Sequence, residues 1–358
     1  MSSKPPPIGI GVIGTGFGAE VILPALQAEP SFIVRAISGG ESGRGLCNPV
    51  VKASGLATTS VDGLLATNDI QAVVVAVPPF AQLALVEKAL RAGKHVLCEK
   101  PFTANLYQAT KACGVASAAK CLLAVDYEFR YDTLIESCLQ QVAVGHIGKL
   151  KNINVRWWNG GSLRCDRRWS WRDDIGSCGG VLTEWCSHVV DYLPLIGGAS
   201  FSDISCWLRT EIATRLDEDD QPRLVTVPDG CLLKGRLGGD IRVSVDVSTA
   251  RSTQHGHRIE LCGEHGNYIA EIVPPYGSAQ FSCSISVDGV TVPEIGTTTD
   301  SGGDTRVIAI TRLLRDFAAR IHGRDCARLP TCTGALAAWS TISAAFASAR
   351  EGGRPLSL

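Results

Sequence analysis

Residues 8–26, IGIGVIGTGFGAEVILPAL, narrow the folds open to this chain more than any other stretch. Ile8, Ile10, Val12 and Ile13 form a short apolar run among glycines, which reads as a strand buried on both faces. Gly14-Thr15-Gly16 follows at once, and residues 17–28 then take helical spacing. A strand that enters a tight glycine turn and leaves as a helix is the arrangement that holds a dinucleotide pyrophosphate. Gly14 permits the turn, Gly16 lets backbone approach phosphate oxygens, and Ala19 lets the helix pack close to the strand. Thr15, Phe17 and Gly18 complete this candidate cofactor-binding turn, and the helix start adds N–H groups and the positive end of a dipole. A glycine-rich turn in another α/β fold has the same composition, so the motif depends on its context.

That context is a series of βα units. Residues 32–37 read as a second strand, and residues 72–77 are a valine-rich buried strand ending in Pro78-Pro79. Residues 80–92 show helical spacing closed by Gly93, and residues 95–98 form a strand followed by Glu99-Lys100-Pro101. A helix over 104–119 and a strand over 122–125 complete the series. Repeated βα units imply a doubly wound parallel sheet, whose ligands bind at the carboxyl ends of the strands. The glycine turn, Ser38, Val77, Pro78, Glu99, Lys100 and the segment Asp126-Tyr127-Glu128 all fall at such ends.

After a connecting helix over 132–144 the pattern changes to longer alternating strands at 150–158, 204–210, 231–237, 241–247, 258–262, 268–272 and 281–287. These imply an open, mostly antiparallel sheet, and helices over 305–321 and 334–349 follow. The expected organisation is an α/β chain of two domains, a dinucleotide-binding Rossmann domain at 1–128 and an α+β substrate and oligomerisation domain at 129–358. A length of 358 residues suits two such domains and buries enough core to need no disulfide or metal. The formal charge of −1 offers no field for nucleic acid or anionic membrane, and no apolar run is long enough to span a bilayer. The start, MSSKPPP, has no signal region, which points to the cytoplasm. The 14 cysteines are scattered, with no Cys-x-x-Cys pair, and read as small buried hydrophobes; no metal site is expected.

Two constellations carry chemistry. Lys100 follows a strand in the expected cofactor half; it is either a surface cation or an ammonium that stabilises negative charge on a substrate oxygen, with Glu99 holding it in place. In residues 179–191, GGVLTEWCSHVVD, a continuous helix would set Glu184, His188 and Asp191 on one face. His188 would accept a hydroxyl proton and Glu184 would bind substrate or orient the ring; a core histidine on an ordinary charged face is the competing reading.

Taken in order and spacing, these pieces resemble the glucose–fructose oxidoreductase / inositol dehydrogenase / rhizopine-catabolism family of NAD(P)-dependent oxidoreductases. The matching motifs are Gly14-Thr15-Gly16, then AGKHVLCEKP ending at Pro101, then Gly179-Gly180 with His188 and Asp191, and the resemblance spans nearly the whole chain. It implies that Lys100 and His188 line the reaction centre, that His188 is the proton acceptor, that the Lys100–Pro101 bond is cis, and that the second domain's sheet makes a homodimer or homotetramer interface. Glu184 stands where the family has aspartate, Cys186 where it has glycine, and Gln82 where many members have histidine.

The tip of the second strand is Ser38, with no acid to bind ribose hydroxyls, and Arg44 lies downstream; this pattern favours NADP modestly over NAD, with Glu41 as counter-evidence. Residues 156–172 are rich in Arg and Trp. There Arg168 and Arg172 would bind a substrate carboxylate or phosphate and tryptophans would stack on a sugar ring, or the segment is a solvated loop. Glu128 joins Arg168, Arg172, Glu184 and His188 as a candidate substrate contact. His255 and His257 read as an exposed sheet edge. The expected activity interconverts a secondary alcohol and a carbonyl on a sugar, polyol or similar small polar molecule. Reduction of a C=N or conjugated substrate, redox-neutral chemistry on bound cofactor, and a non-catalytic dinucleotide sensor are the alternatives.

Overall fold

The computed structural model describes residues 5–40, 46–273, 280–287, 289–294 and 304–358. The chain forms two compact units, one of residues 1–131 and 306–336, the other of 132–305 and 337–358.

The first unit is a six-stranded parallel sheet. Its strands are β1 (Ile8–Ile13), β2 (Phe32–Ser38), β3 (Ala57–Thr58), β4 (Ala72–Val75), β5 (His95–Glu99) and β6 (Leu123–Asp126), in the order β3-β2-β1-β4-β5-β6. The order reverses beside β1, which is the switch point of a doubly wound sheet. β1, β4 and β6 are buried along their whole length, which explains their unbroken apolar runs. Between the strands run α1 (Leu23–Ala28), α2 (Pro49–Ala53), α3 (Val61–Ala66), α4 (Pro79–Arg91) and α5 (Leu106–Ala119). The helix expected over 17–28 begins as a π-helical turn, Gly18–Ile22, before α1. Asn48, Ser60 and Asn105 cap α2, α3 and α5 through their side-chain oxygens.

The second unit opens with α6 (Thr133–Val144), then β7 (Leu150–Trp158), α7 (Val181–Glu184), α8 (Cys186–Gly197), β8 (Phe201–Arg209), β9 (Thr214–Leu216), β10 (Pro222–Leu224), β11 (Gly230–Leu237), β12 (Ile241–Ser248), β13 (Gly256–Gly263), β14 (Gly266–Val273), β15 (Gln280–Val287) and β16 (Val290–Glu294). With β17 (Leu356–Ser357) these strands make a nine-stranded sheet, β16-β15-β14-β13-β7-β12-β11-β8-β17, antiparallel except for β7 beside β12. β9 and β10 pair as a separate hairpin that lies outside the expected strands.

α9 (Thr305–Ile321) belongs to the first unit, and α10 (Cys332–Arg350) starts in the first and ends in the second. A two-part division at 128/129 therefore omits the return of residues 306–336. The physical cause is the apolar stripe Ala309, Ile310, Leu313, Leu314, Phe317 and Ala318, which packs into the same core as Ile10, Val12 and Leu26. Phe317 stacks 6.2 Å from Phe32, and the Tyr131 hydroxyl donates to Asp316 at 2.7 Å. None of the 14 cysteines is joined in a disulfide.

Candidate functional site

In the first unit the candidate residues gather at the carboxyl ends of the parallel strands. Gly14 has φ +120°, and a Cβ there would stand 2.1 Å from the Ala76 carbonyl oxygen, so only glycine joins β1 to the helix beside β4. Gly16 faces open space, with no atom within 4 Å of where its Cβ would be, so its backbone is accessible from that side. Gly18 packs against Val12 and Ala76, sharing the close-packing role expected of Ala19 alone. Thr15 is nearly buried, and its carbonyl oxygen accepts from the Asn48 side chain at 3.0 Å. Ser38 is 1% exposed and its hydroxyl has no hydrogen-bond partner among the described residues. Arg44 and Glu41 lie outside the described residues.

Gln82 organises the next two strand ends, a role the sequence did not reveal. Its amide donates to the Val77 carbonyl at 3.1 Å and the Glu99 carbonyl at 2.9 Å, and its oxygen accepts from the Thr103 N–H at 2.7 Å. One buried side chain thus ties the Val77-Pro78 corner to the Glu99-Lys100-Pro101 turn, whose Lys100–Pro101 bond is cis. Such a triply bonded amide costs a desolvation penalty if any partner is lost.

Around Lys100 lies a carboxyl cluster. Glu99 and Asp126 are directly paired across the β5–β6 ladder, and Glu128 follows two residues after Asp126. Asp126 is 0% exposed and Glu128 4% exposed. Burial pushes the Glu99 carboxyl up to about 7 and that of Glu128 up to about 8, with Lys100 and Arg306 opposing the shift in both. Burial and the neighbouring Glu99 and Glu128 charges drive Asp126 well above the ordinary carboxylate range. Burial, with the Glu99 and Asp126 charges added, raises the Cys98 thiol. Like charges this close cannot all ionise, so the cluster retains protons near neutral pH. Glu128, expected among the substrate contacts, belongs to this cluster. Arg306, from the start of α9, lies 5.2 Å over the Phe17 ring and brings a second cation that the sequence did not mark.

In the second unit a cavity of about 400 Å³ is lined by residues of the 159–173 loop, of α7 with Gly180 and Trp185, of the β9 approach, and of residues 225–229. Gly179 allows this packing, since a Cβ would meet the Arg172 carbonyl oxygen at 2.3 Å. Arg172 and Glu184 both line the cavity and pair at 2.9 Å. Arg168 does not line it; it pairs with Asp220 at 2.5 Å and the Asp217 carbonyl at 3.2 Å on the surface. Trp169 and Trp171 each carry a guanidinium on one face, from Arg223 at 3.3 Å and Arg172 at 4.4 Å, and neither lines the cavity. The aromatic wall is Trp185.

The continuous helix expected through Glu184 and His188 is broken. α7 stops at Glu184, Trp185 sits at φ −109°, and α8 begins at Cys186, with the His188 N–H bonded to Trp185 O at 3.2 Å. His188 is 3% exposed, outside the cavity wall, its ring 6.2 Å from that of Trp157. Trp157 meets Trp185 edge-on at 4.7 Å and stacks flat on His257 at 4.3 Å, and Tyr192 and His257 share a hydrogen bond at 2.9 Å. His257 is therefore a core residue on an interior strand rather than part of an exposed edge, and burial holds its pKa down at about 3. His255 bonds the Arg251 carbonyl, and no metal-ligand cluster occurs among the described residues.

Comparison with known proteins follows the same division. Residues 8–127 match the model of an oxidoreductase family with an NAD-binding Rossmann fold, GFO_IDH_MocA, and residues 136–269 match the GFO/IDH/MocA C-terminal domain. An uncharacterized oxidoreductase of Synechocystis sp. is 32% identical over 271 residues, covering 75% of this chain and 72% of that protein. Levoglucosan dehydrogenase in complex with NADH and L-sorbose superimposes with a TM-score of 0.83 at 17% identity, over 98% of this chain and 99% of the other. A super-repressor mutant of Gal80p from Saccharomyces cerevisiae gives the same TM-score of 0.83 at 19% identity, over 98% and 97% of the two chains. At these identities the two solved structures establish a shared fold. Through both of its domains, this chain belongs to the GFO/IDH/MocA family of oxidoreductases, with an NAD-binding Rossmann fold.

Proposed function

We propose that the protein is an NAD(P)-dependent dehydrogenase or reductase that interconverts a secondary alcohol and a carbonyl on a sugar, polyol or related small polar molecule. The observation that carries this reading is the convergence, at one set of strand ends, of the open Gly16 backbone, the orphaned Ser38 hydroxyl and the Lys100 carboxyl cluster. These groups fit a dinucleotide: backbone for the pyrophosphate, a hydroxyl for the ribose, and an ammonium beside the reacting end.

When bound, the cofactor would supply a two-electron acceptor or donor for the carbinol carbon. Gly14, Gly16 and Gly18 would hold its phosphates, with Arg306 adding positive charge, and Val77 and Pro78 would border its ring. Lys100 would donate to the substrate oxygen and offset charge developing there. His188 would take the hydroxyl proton in the oxidation direction and return it in reduction. Arg172 and Glu184 would bind substrate hydroxyls in the second unit's cavity. Ser38 supports a modest NADP preference, because an acid at that position would repel a 2′-phosphate. Ser38→Asp is expected to reverse the preference in fluorescence titrations with NADPH and NADH; equal titrations for both proteins would remove it. The uncovered sheet face, where Trp207 and Leu232 are paired neighbours and both well exposed, is assigned to a contact between copies of the chain; a monomer by light scattering would contradict this.

The central test is nicotinamide absorbance with a panel of sugars and polyols, run alongside cofactor titration. Turnover of a panel member supports the dehydrogenase. Tight cofactor binding with no turnover on any member would favour a dinucleotide-binding sensor.

A further inference from the structure

We propose that the ligand of the second unit's cavity is a sugar acid, with Arg167 receiving its carboxylate. This rests on the reading of that cavity as the substrate site.

The wall carries four arginines and four carboxylates, Arg164, Arg167, Arg172 and Arg215 against Asp166, Asp173, Glu184 and Asp229, so its charges cancel in number. They do not cancel in place. Arg164 is matched by Asp166 at 2.6 Å and Arg172 by Glu184 at 2.9 Å. Asp229 accepts from the backbone N–H groups of Glu211 and Ile212 at 2.9–3.0 Å. Asp173 alone must serve two guanidiniums. Its Oδ1 accepts from Arg167 Nη2 at 2.8 Å and from Arg215 Nε at 3.1 Å, while its Oδ2 accepts from the Ser170 N–H at 3.0 Å.

The two arginines differ in what else they have. Arg215 has a side chain 5% exposed and also donates to the Ser162 carbonyl at 2.7 Å and the Arg164 carbonyl at 3.4 Å. Arg167 has a side chain 28% exposed, lines the cavity, and among the described residues makes only the bond to Asp173. Burial, together with the Arg215 and Arg172 charges, pulls Arg167 below the usual guanidinium range, with Asp173 and Glu184 opposing. The remaining donors of Arg167 form a planar fork suited to two-point binding of a carboxylate.

One surplus cation calls for one negative charge, which selects a carboxylate over a phosphate dianion. Beside it, the Ser162 and Thr249 hydroxyls, 2.7 Å apart, and Asn159 offer partners to hydroxyl groups, and Trp185 offers a ring. A cavity of about 400 Å³ is of small-molecule size.

The test compares parent sugars with their acids, glucose with gluconate and glucuronate, and galactose with galacturonate, by calorimetry and by turnover. The wild type is expected to bind an acid about 10- to 100-fold more tightly than its parent sugar, the effect of a hydrogen-bonded charge pair. In Arg167→Gln that ratio is expected to fall to about one, while parent-sugar affinity changes by less than about threefold. Arg167→Lys keeps the charge without the fork and should retain only part of the preference, and melting temperatures of both variants check that Asp173, still held by Arg215, remains in place. Sugars bound and turned over with no preference for acids would overturn the sugar-acid assignment and leave the dehydrogenase reading intact. A preference for phosphorylated sugars would overturn the assignment to a monoanion. No binding by any sugar, polyol or acid would overturn the assignment together with the dehydrogenase reading.

Discussion

The two units each bury a charge cluster, and the clusters resolve their imbalance in opposite ways. Around Lys100 the surplus is negative, with Glu99, Asp126 and Glu128 against Lys100 and Arg306. Around Asp173 the surplus is positive, with Arg167 and Arg215 sharing one carboxylate. A carboxyl cluster sheds its surplus by holding protons, because carboxyl pKa values move readily into the neutral range. A guanidinium cannot lose its proton at any ordinary pH, so Arg167 and Arg215 keep their local excess beside Asp173 unless an anion joins them. The first cluster is thus sensitive to pH, and under the proposal above the second would be sensitive to the charge of a ligand.

The largest effect expected from breaking this comparison is on turnover. Lys100→Met and His188→Asn should each lower kcat by about 10²–10⁴-fold, with cofactor affinity nearly unchanged for His188→Asn, in steady-state kinetics on an active substrate. Normal kcat in both variants would remove these residues from the chemistry. Next comes Arg215→Ala, which breaks a buried pair and should cost about 3–5 kcal/mol in urea denaturation. A loss no larger than that of an exposed arginine would show that the shared carboxylate is not under strain for charge.

Asp126→Asn sharpens the contrast from the other side. The folded state holds protons on Glu99 and Glu128 up to about 7 and about 8, whereas the unfolded chain releases them near the ordinary carboxyl values. Between those limits the folded state binds more protons, so stability falls as pH rises through this range. Asp126, raised by burial and by the Glu99 and Glu128 charges, adds its own proton to that linkage, so removing it should flatten the decline and stabilise the protein at alkaline pH, read from urea midpoints across the range. An unchanged pH slope would show that Asp126 holds no extra proton in the folded state. The smallest difference separates two arginines that look alike in sequence. Arg172→Ala should raise KM about tenfold, and Arg168→Ala, whose partners are at the surface, should change it less than about twofold.

Much of the candidate site's local geometry was legible beforehand, because its residues mark turns and element ends. Gly14 and Gly16 stand at a turn, Glu99 and Lys100 at a strand end, and Gly179-Gly180 before a helix, and each position follows from neighbouring residues alone. Other features were hidden because they depend on distant partners. Gln82 was visible only as a departure from the family pattern, since its acceptors at Val77 and Glu99 meet it only when α4 packs beside β5. The break at Trp185 was missed because residues 181–197 keep helical spacing on both sides of it. Arg215 lies in a hairpin too short to give a strand signal, and Arg306 enters the first unit from the far end of the chain.

By itself the sequence determined the two sheet types, the parallel one from unbroken apolar runs and the antiparallel one from alternation, and it determined the order of the motifs along them. Only the tertiary structure decided which charges share a partner, which arginine keeps donors to spare, and which carboxyls are stripped of water. The reason is physical: periodicity is a property of consecutive residues, whereas the net charge at a buried point is a sum over side chains that folding alone brings together.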